Sequence, residues 1–218
     1  MAMIYYPSCR FTKHYPEASK KALHYMTKNY NVQIAGCCRL NLESITSEDT
    51  LVYICNSCVA FFKESTPAKV VSIWELITRD EGFSYPNHSG KCVTLQDCWR
   101  AYDNPNLHDT IRKILTFMNI DVVELDRKRE NADFCGPSLY QPLPKDYDKY
   151  APIRFVKEAE GLFVSHSEEQ KQALMLEHCE TIVTGGVVGY CLACVDGINI
   201  GGKQGIHLAE LVFKNTSK

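Results

Sequence analysis

A cysteine pattern that occurs twice constrains this chain more than any other feature of its sequence. In each half a short apolar run leads to a single cysteine, Cys9 in the first half and Cys98 in the second. A proline, a helical stretch with one apolar face and a second strand-like run follow, and further cysteines come after that run. A third strand-like run then leads towards a CxxC motif, which begins at Cys55 or Cys191. Such a repeat predicts two similar modules.

The order of the elements favours the α/β class. The strand-like runs lie at 3–6, 32–35 and 51–54 in the first half, and at 92–95, 122–125 and 181–184 in the second. Because helical stretches separate these strands and close each half, we expect two similar halves, each a small parallel sheet flanked by helices. The carboxyl ends of parallel strands meet at one edge of a sheet, and the cysteine clusters are predicted to lie there. The polar stretch 79–90 separates a first module, 1–81, from a second, 82–218.

Two sets of cysteines are candidate metal ligands. The first half contributes Cys9, Cys37, Cys38, Cys55 and Cys58, and the second contributes Cys98, Cys135, Cys191 and Cys194. Thiolates select zinc, Cu(I) or iron–sulfur clusters, and four of them suffice for a zinc ion or a cubane [4Fe-4S] cluster. The first set has an adjacent pair and exceeds what one zinc ion needs, which favours a multinuclear group. Cys92 and Cys179 have no counterpart in the repeat and are interpreted as buried structural residues.

Charge and composition exclude several other classes of protein. The eleven cysteines are not expected to form a disulfide framework, because the sequence does not begin like a signal peptide and a cytoplasmic location is therefore predicted. The formal net charge of −2 provides no basic surplus for binding nucleic acid. No apolar stretch is long enough to predict a membrane span.

Several residues near the cysteines have less specific interpretations. The glycines within 185–189 and 201–205 match neither nucleotide-binding fingerprint and are interpreted as turn residues near a ligand loop. His207 is expected to cap a helix or to lie in the core. An arginine also follows a candidate ligand at Arg10, Arg39 and Arg100. Each guanidinium either tunes a bound cluster, binds an anionic substrate, or is an ordinary solvated charge.

The double pattern resembles the cysteine-rich CCG-domain family, whose best-known member is the disulfide-cleaving subunit of heterodisulfide reductase. The motifs behind the resemblance are the order Cys … Cys-Cys … CxxC, Asp97-Cys98-Trp99-Arg100, Cys135-Gly136, and the closing run His207-Leu208-Ala209-Glu210-Leu211. The resemblance covers nearly the whole chain, as two CCG-like modules. It implies that the first-half cysteines Cys9, Cys37, Cys38, Cys55 and Cys58 ligate a noncubane [4Fe-4S] cluster, where a disulfide substrate is cleaved. It also implies that Cys98, Cys135, Cys191 and Cys194 hold a second cluster or zinc.

The chain departs from the family pattern at three points. Arg39 rather than a glycine follows the Cys37-Cys38 pair, and Phe134 stands where the second half should have the first cysteine of its pair. A glycine-rich segment also lengthens the last spacer, before Cys191. With four ligands, the second half is compatible with zinc, with a cubane cluster, or with a noncubane cluster whose open iron site binds a substrate sulfur.

Three functional hypotheses follow. The first is an iron–sulfur oxidoreductase subunit that reduces a disulfide or relays electrons, as the resemblance implies. Since the sequence has no ferredoxin motif and no flavin or nicotinamide fingerprint, this function requires a flavoprotein or ferredoxin-like partner subunit. The second hypothesis is a zinc-stabilised binding module of the same fold, without redox activity. The third is a thiol–disulfide exchanger that uses Cys55 and Cys58 as a bare dithiol.

Overall fold

The chain folds into two compact units, in a computed structural model that describes residues 2–214. The first unit contains the residues up to Glu81 together with Leu143–Glu160. The second unit contains Gly82–Pro142 and the residues from Gly161 onward. The predicted modules also divide after residue 81, but they assign residues 143–160 to the second half. Positions 1 and 215–218, which the predicted modules include, lie outside the described residues.

Each unit contains one sheet and several flanking helices. The strands are β1 (Met3–Tyr6), β2 (Val32–Ile34), β3 (Thr50–Tyr53) and β4 (Lys69–Ser72) in the first unit, and β5 (Lys91–Gln96), β6 (Ile120–Glu124), β7 (Gly186–Gly189) and β8 (Gln204–His207) in the second. The helices are α1 (Cys9–His14), α2 (Pro16–Asn29), α3 (Asn56–Ser65), α4 (Ile73–Arg79), α5 (Pro105–Phe117), α6 (Tyr147–Tyr150), α7 (Glu168–Glu180), α8 (Leu192–Ile200) and α9 (Leu208–Val212). Within residues 2–214, none of these helices is both long enough and apolar enough to cross a membrane.

All strand pairs are parallel, in the order β2-β1-β3-β4 in the first unit and β6-β5-β7-β8 in the second. The predicted fold class is therefore confirmed. In both units the first strand lies between the second and the third, so the loops after these three strands leave the sheet side by side. Cys9 follows β1, the Cys37-Cys38 pair follows β2, and Cys55 follows β3. Cys98 and Cys191 follow β5 and β7 in the same way.

Helix α5 illustrates how the sequence determines these elements. Asn104 caps its first turn by accepting a hydrogen bond from the backbone N–H of Leu107 at 3.2 Å, and Pro105 occupies the first helical position. The predicted apolar face is confirmed, because the residues at helical spacing are all buried: Leu107, Ile111, Ile114, Leu115 and Met118. This apolar face packs the helix against strand β6 of its sheet.

The third strand of the second unit does not lie where the sequence predicts it. Residues 181–184 form a turn after α7, and the strand is instead β7, in the glycine run interpreted as a turn. Thr184 gives the physical reason, because its hydroxyl accepts a hydrogen bond from the backbone N–H of Thr94 at 3.0 Å and donates one to the carbonyl of Gly186 at 2.8 Å. A side chain thus takes the place of a strand partner at this point of β5. The sequence analysis also misses β4 and β8, which lie directly before the predicted closing helices.

The segment 143–160 packs against helix α3 of the first unit. The carboxylate of Glu64 accepts a hydrogen bond from the backbone N–H of Ile153 at 2.7 Å. The hydroxyl of Ser65 donates to the carbonyl of Tyr150 at 2.6 Å. These contacts join residues that are far apart in sequence, so no local pattern announces them.

Candidate metal centre

Four cysteine side chains of the second unit meet at the carboxyl edge of its sheet. Their sulfur atoms all lie within 4.8 Å of one another. The Sγ atoms of Cys98 and Cys135 are 3.6 Å apart, and those of Cys135 and Cys191 are 3.9 Å apart. Cys98 follows β5, Cys191 precedes α8, and Cys194 lies in the first turn of that helix, whereas Cys135 comes from the long loop after β6. The fold therefore brings the four candidate ligands of the second half together.

These four thiols are enclosed by protein. Cys98 and Cys135 are fully buried, Cys194 is nearly so, and Cys191 is 8% exposed. Burial raises the pKa of the Cys98 and Cys194 thiols. Hydrogen bonds from the neighbouring thiols lower the pKa of Cys135 well below its ordinary value. Cys135 therefore favours the thiolate form that a metal ion requires, and metal binding would release the remaining protons.

Two glycines let the loop with Cys135 reach the helix that carries Cys191 and Cys194. Gly136 has a φ of +57°, and a Cβ on this residue would overlap the carbonyl oxygen of Ala193. A Cβ on Gly197 would lie only 2.6 Å from the Cα of Gly136. A glycine is thus required directly after Cys135, both by the positive φ and by the close approach of the loop to α8.

A buried arginine lies beside the thiol group. Arg100 is 4% exposed, and its Nη2 donates a hydrogen bond to the hydroxyl of Ser138 at 3.1 Å. The Ser138 oxygen lies 2.6 Å from the carbonyl oxygen of Cys135 and 3.5 Å from its Sγ. Four thiolates around a divalent cation carry excess negative charge, which is costly to bury without a positive partner. Arg100 supplies a positive charge at this place.

Phe134 fills the position of the missing cysteine. Its ring stacks on His178 with 3.8 Å between the ring centroids. Its carbonyl accepts hydrogen bonds from the backbone N–H of Trp99 at 2.9 Å and from the thiol of Cys194 at 3.6 Å. His178 also lines a cleft of about 510 Å³ with a largely acidic wall, but no cysteine lines this cleft. Within residues 2–214, the cleft therefore provides no direct access to the thiols.

The CxxC motif of the first unit lies at the beginning of helix α3. Cys55 is its N-cap residue, and its sulfur faces polar groups of Cys58, Ser57 and Ser8 that favour the thiolate. The interaction with Cys58 contributes most, and together these groups lower the pKa of Cys55 to about 5 although burial opposes the shift. The pKa of Cys58 is raised, because its thiol faces the sulfurs of Cys38 and Cys55 in a buried place.

The other candidate ligands of the first unit are more accessible. Cys9 is exposed at the start of α1, and Cys37 and Cys38 are half-buried in the loop after β2. Interaction with the Cys37 sulfur raises the pKa of the Arg39 guanidinium, which donates a hydrogen bond to the carbonyl of Lys145 at 3.1 Å. Among residues 2–214, a compact group with metal-ion spacing occurs in the second unit alone. The five candidate ligands of the first unit are thus not gathered into a site of single-ion size.

Three further sequence interpretations have a clear structural outcome. Cys179 is buried as predicted, but Cys92 is exposed, so its predicted burial is wrong. Cys92 lies near the amino end of β5, where it pairs with the exposed Asp121 of β6. His207 is buried, and its Nδ1 accepts a hydrogen bond from the backbone N–H of Ala209 at 3.2 Å, which confirms the predicted capping role.

The sequence analysis gives no role to two polar residues that directly precede candidate ligands, although it quotes the first of them within a motif. Asp97 comes before Cys98, and Tyr190 comes before Cys191. The Tyr190 hydroxyl donates a hydrogen bond to the Asp97 carboxylate at 2.8 Å. Adjacency to a cysteine is the only signal that the sequence offers, and it does not reveal that the two side chains face each other.

The comparisons with known proteins provide little further information. No family model matches this chain, and no curated protein matches it. A solved structure of an aspartate racemase homologue from Pyrococcus horikoshii is similar to it at 12% sequence identity, over 98% of this chain and 95% of that chain, with a TM-score of 0.33.

Proposed function

We propose that this chain is a redox protein of the cysteine-rich CCG type, with a metal ion in its second unit and an iron–sulfur cluster in its first. The four buried sulfurs of the second unit are the observation that carries the metal site of this proposal. A zinc ion with bonds of about 2.3 Å to four thiolates holds them roughly 3.8 Å apart in a tetrahedron. The separations of 3.6 Å between Cys98 and Cys135 and 3.9 Å between Cys135 and Cys191 agree with that value. These separations, together with the limit of 4.8 Å on the others, support a site of single-ion size.

An iron–sulfur cluster fits these four sulfurs less well. In a [4Fe-4S] cluster each cysteine binds a different iron, and the inorganic core separates the thiolates more widely than one ion does. Four protein ligands also leave no open coordination position, and burial keeps a substrate away from the sulfurs. We therefore assign a structural role to the ion in the second unit. The buried charge of Arg100 beside Cys135 supports the same assignment.

The first unit is the proposed redox site. Its candidate ligands follow three neighbouring strand ends and are more widely spread and more exposed than those of the second unit. This donor set suits a larger group, and the ligands of a noncubane [4Fe-4S] cluster would be Cys9, Cys37, Cys38, Cys55 and Cys58. When bound, such a cluster supplies one-electron chemistry and an iron that holds a substrate sulfur.

The residues of the first unit have defined tasks in this proposal. Cys55 is already biased towards the thiolate by the donors at the start of α3. Arg39, which contacts Cys37, is placed to attract an anionic group of the substrate. Cleavage of a disulfide to two thiols consumes two electrons and two protons. The electrons must come from a partner subunit, which would be a flavoprotein or a ferredoxin-like protein.

A second candidate function rests on the contrast between Cys55 and Cys58. A low-pKa thiolate at a helix N-terminus, followed by a buried thiol of raised pKa, is the arrangement of a CxxC dithiol that exchanges with disulfides. In this function the Cys55 thiolate attacks the substrate disulfide, which forms a mixed disulfide and releases one substrate thiol. Cys58 then attacks the Cys55 sulfur, which releases the second substrate thiol and leaves a Cys55–Cys58 disulfide. Neither Cys9 nor Cys37 takes part in these steps.

Metal analysis of the anaerobically purified full chain distinguishes these functions. We expect one zinc and about four irons with equal sulfide per chain. Cys135→Ser should lose the zinc and keep the iron, whereas Cys38→Ser should lose the iron and keep the zinc. Cys92→Ser is the matched control, because this exposed cysteine belongs to neither group and its replacement should change neither metal.

Three other outcomes would contradict the proposal in different ways. Zinc without iron, even after anaerobic reconstitution, leaves a zinc-stabilised binding module without redox activity. Loss of iron in Cys135→Ser would place a cluster in the second unit. Disulfide exchange that survives in Cys38→Ser and disappears in Cys55→Ser, in a chain without iron, supports the dithiol.

A further inference from the structure

Asp97 is a fully buried carboxylate beside the candidate metal centre. It is 0% exposed, follows the last residue of β5 and directly precedes Cys98. The guanidinium of Arg112 donates to it twice, from Nη2 at 2.7 Å and from Nη1 at 3.3 Å. This contact is an ion pair, and the Arg112 side chain is itself only 14% exposed. A buried charge with this many partners is held in one position.

Tyr190 binds the same carboxylate from the neighbouring strand. It is 1% exposed, follows the last residue of β7, and donates its hydroxyl to Asp97 at 2.8 Å. Strands β5 and β7 are paired up to Gln96 and Gly189, the residues just before this contact. The Asp97–Tyr190 hydrogen bond therefore continues the pairing of the two strands one step beyond the sheet. The next residues are Cys98 and Cys191.

Asp97 also holds the loop that supplies Cys135. The backbone N–H of Arg129, in that loop, donates to the Asp97 carboxylate at 2.8 Å. Further along the loop, the carbonyl of Phe134 accepts a hydrogen bond from the backbone N–H of Trp99 at 2.9 Å. One carboxylate thus contacts all three chain segments that deliver sulfur atoms to the site.

The first unit provides an internal comparison. Its sheet has the same strand order, but Ser8 precedes Cys9 and Ile54 precedes Cys55, so neither position carries a carboxylate or a phenol. In that unit no compact thiol group with single-ion spacing is found among residues 2–214. Two sheets of one topology therefore differ both in these residues and in the spacing of their cysteines.

We propose that Asp97, Arg112 and Tyr190 form a clamp that positions the ligands of the metal ion in the second unit. This inference rests on the proposed metal site and adds to it the residues that set its geometry. In the clamp, Arg112 orients the carboxylate of Asp97, and Asp97 holds Tyr190 and the Cys135 loop. Because Asp97 and Tyr190 lie directly before ligands and Arg129 lies in the loop that carries Cys135, loss of the clamp should let the sulfurs separate before the fold itself is lost.

Cobalt and zinc binding to the full chain test the clamp. Residues that orient metal ligands from outside the ligand shell contribute about 10- to 100-fold to metal affinity, so we expect a loss of roughly 10-fold in Tyr190→Phe and roughly 100-fold in Asp97→Asn. The affinity is measured by competition with a chelator. The ligand-field absorption of bound Co²⁺ should also shift in both variants, because it reports the tetrahedral geometry directly.

Tyr25→Phe is the matched control. Tyr25 also donates its hydroxyl to an aspartate, Asp80, at 3.0 Å, but it lies in the first unit. Its replacement removes a tyrosine–aspartate hydrogen bond of the same kind and should leave the affinity for zinc and the cobalt spectrum of the second unit unchanged.

Two results would overturn the clamp and are distinguishable from each other. If Tyr190→Phe and Asp97→Asn bind cobalt with the wild-type affinity and spectrum, while Cys135→Ser binds none, the metal site stands and the clamp is wrong. If the wild-type chain itself binds neither cobalt nor zinc, both the metal site and the clamp are wrong. Should Asp97→Asn fail to fold, Tyr190→Phe decides the question, since it removes a single oxygen atom.

Discussion

At the residue scale, the residues that follow the cysteines in sequence distinguish the cysteine groups of the two units more than the cysteines themselves do. Gly136 follows Cys135 and lets its loop touch helix α8, where a side chain would collide with Ala193. Arg39 follows Cys38, and its side chain instead extends to the carbonyl of Lys145. The residue directly after a candidate ligand thus helps to make the cysteine group of the second unit compact and to leave that of the first unit open.

Replacing Gly136 by alanine should destabilise the second unit and disperse its thiols. The φ of +57° is strained for alanine, and the new methyl group would overlap the Ala193 carbonyl. These two effects together predict a loss of about 3 kcal/mol in the free energy of unfolding, measured by urea denaturation. Gly185→Ala is the control and should be nearly neutral, because a Cβ there meets no atom within 4 Å. A loss in Gly136→Ala no larger than in this control would mean that the close approach to α8 is unimportant.

At the scale of elements, the sequence predicts what depends on local pattern and fails where distant contacts decide. The apolar spacing of α5 and the run before Cys9 correspond to elements that the structure contains. The sequence analysis predicts the third strand of the second unit at the wrong place. The Thr184 hydroxyl accepts the hydrogen bond of the Thr94 backbone N–H, 90 residues away, so this N–H needs no strand partner at 181–184. The cysteines of the site are visible as a pattern, whereas the roles of Asp97 and Tyr190 depend on which strands become neighbours.

The cap of helix α9 predicts how stability depends on pH. Burial lowers the pKa of His207 to about 3, and its neutral Nδ1 accepts the backbone N–H of Ala209. In the unfolded chain a histidine titrates near a pKa of roughly 6.5, so below that pH the unfolded state binds the additional proton. Stability should therefore fall as the pH falls from about 6.5 towards 3, with His207 contributing about 1.4 kcal/mol for each pH unit.

The variant His207→Asn isolates this contribution. Asparagine retains an acceptor for the cap but does not titrate in this range. Urea denaturation of both proteins at several pH values between about 7 and 5 should show that the free energy of unfolding falls less steeply with falling pH in the variant. The difference in slope should approach the one proton that His207 binds on unfolding. Equal slopes would mean that His207 binds its proton equally well in the folded and the unfolded chain.

At the scale of the whole molecule, the chain uses one topology twice for two kinds of thiol environment. In both sheets the first strand of the unit lies between the second and the third, so the loops after these three strands lie side by side. The four candidate ligands of the second unit are buried, whereas those of the first range from the exposed Cys9 to the buried Cys58. The repeat in the sequence predicts the shared topology. It does not predict the difference in burial, which depends on packing within each unit.

This difference predicts the order in which thiols react in the folded, reduced, metal-free chain. In a pulse of iodoacetamide followed by mass spectrometry, the exposed Cys9 and Cys92 should be alkylated early. Cys135 has a lowered pKa and would react readily if it were accessible, so its burial must be what protects it. It should react only as fast as the second unit opens, which zinc should slow further by stabilising the closed form. If Cys135 instead reacts as fast as Cys92, and zinc makes no difference, the second unit does not enclose its thiols and cannot hold a buried ion.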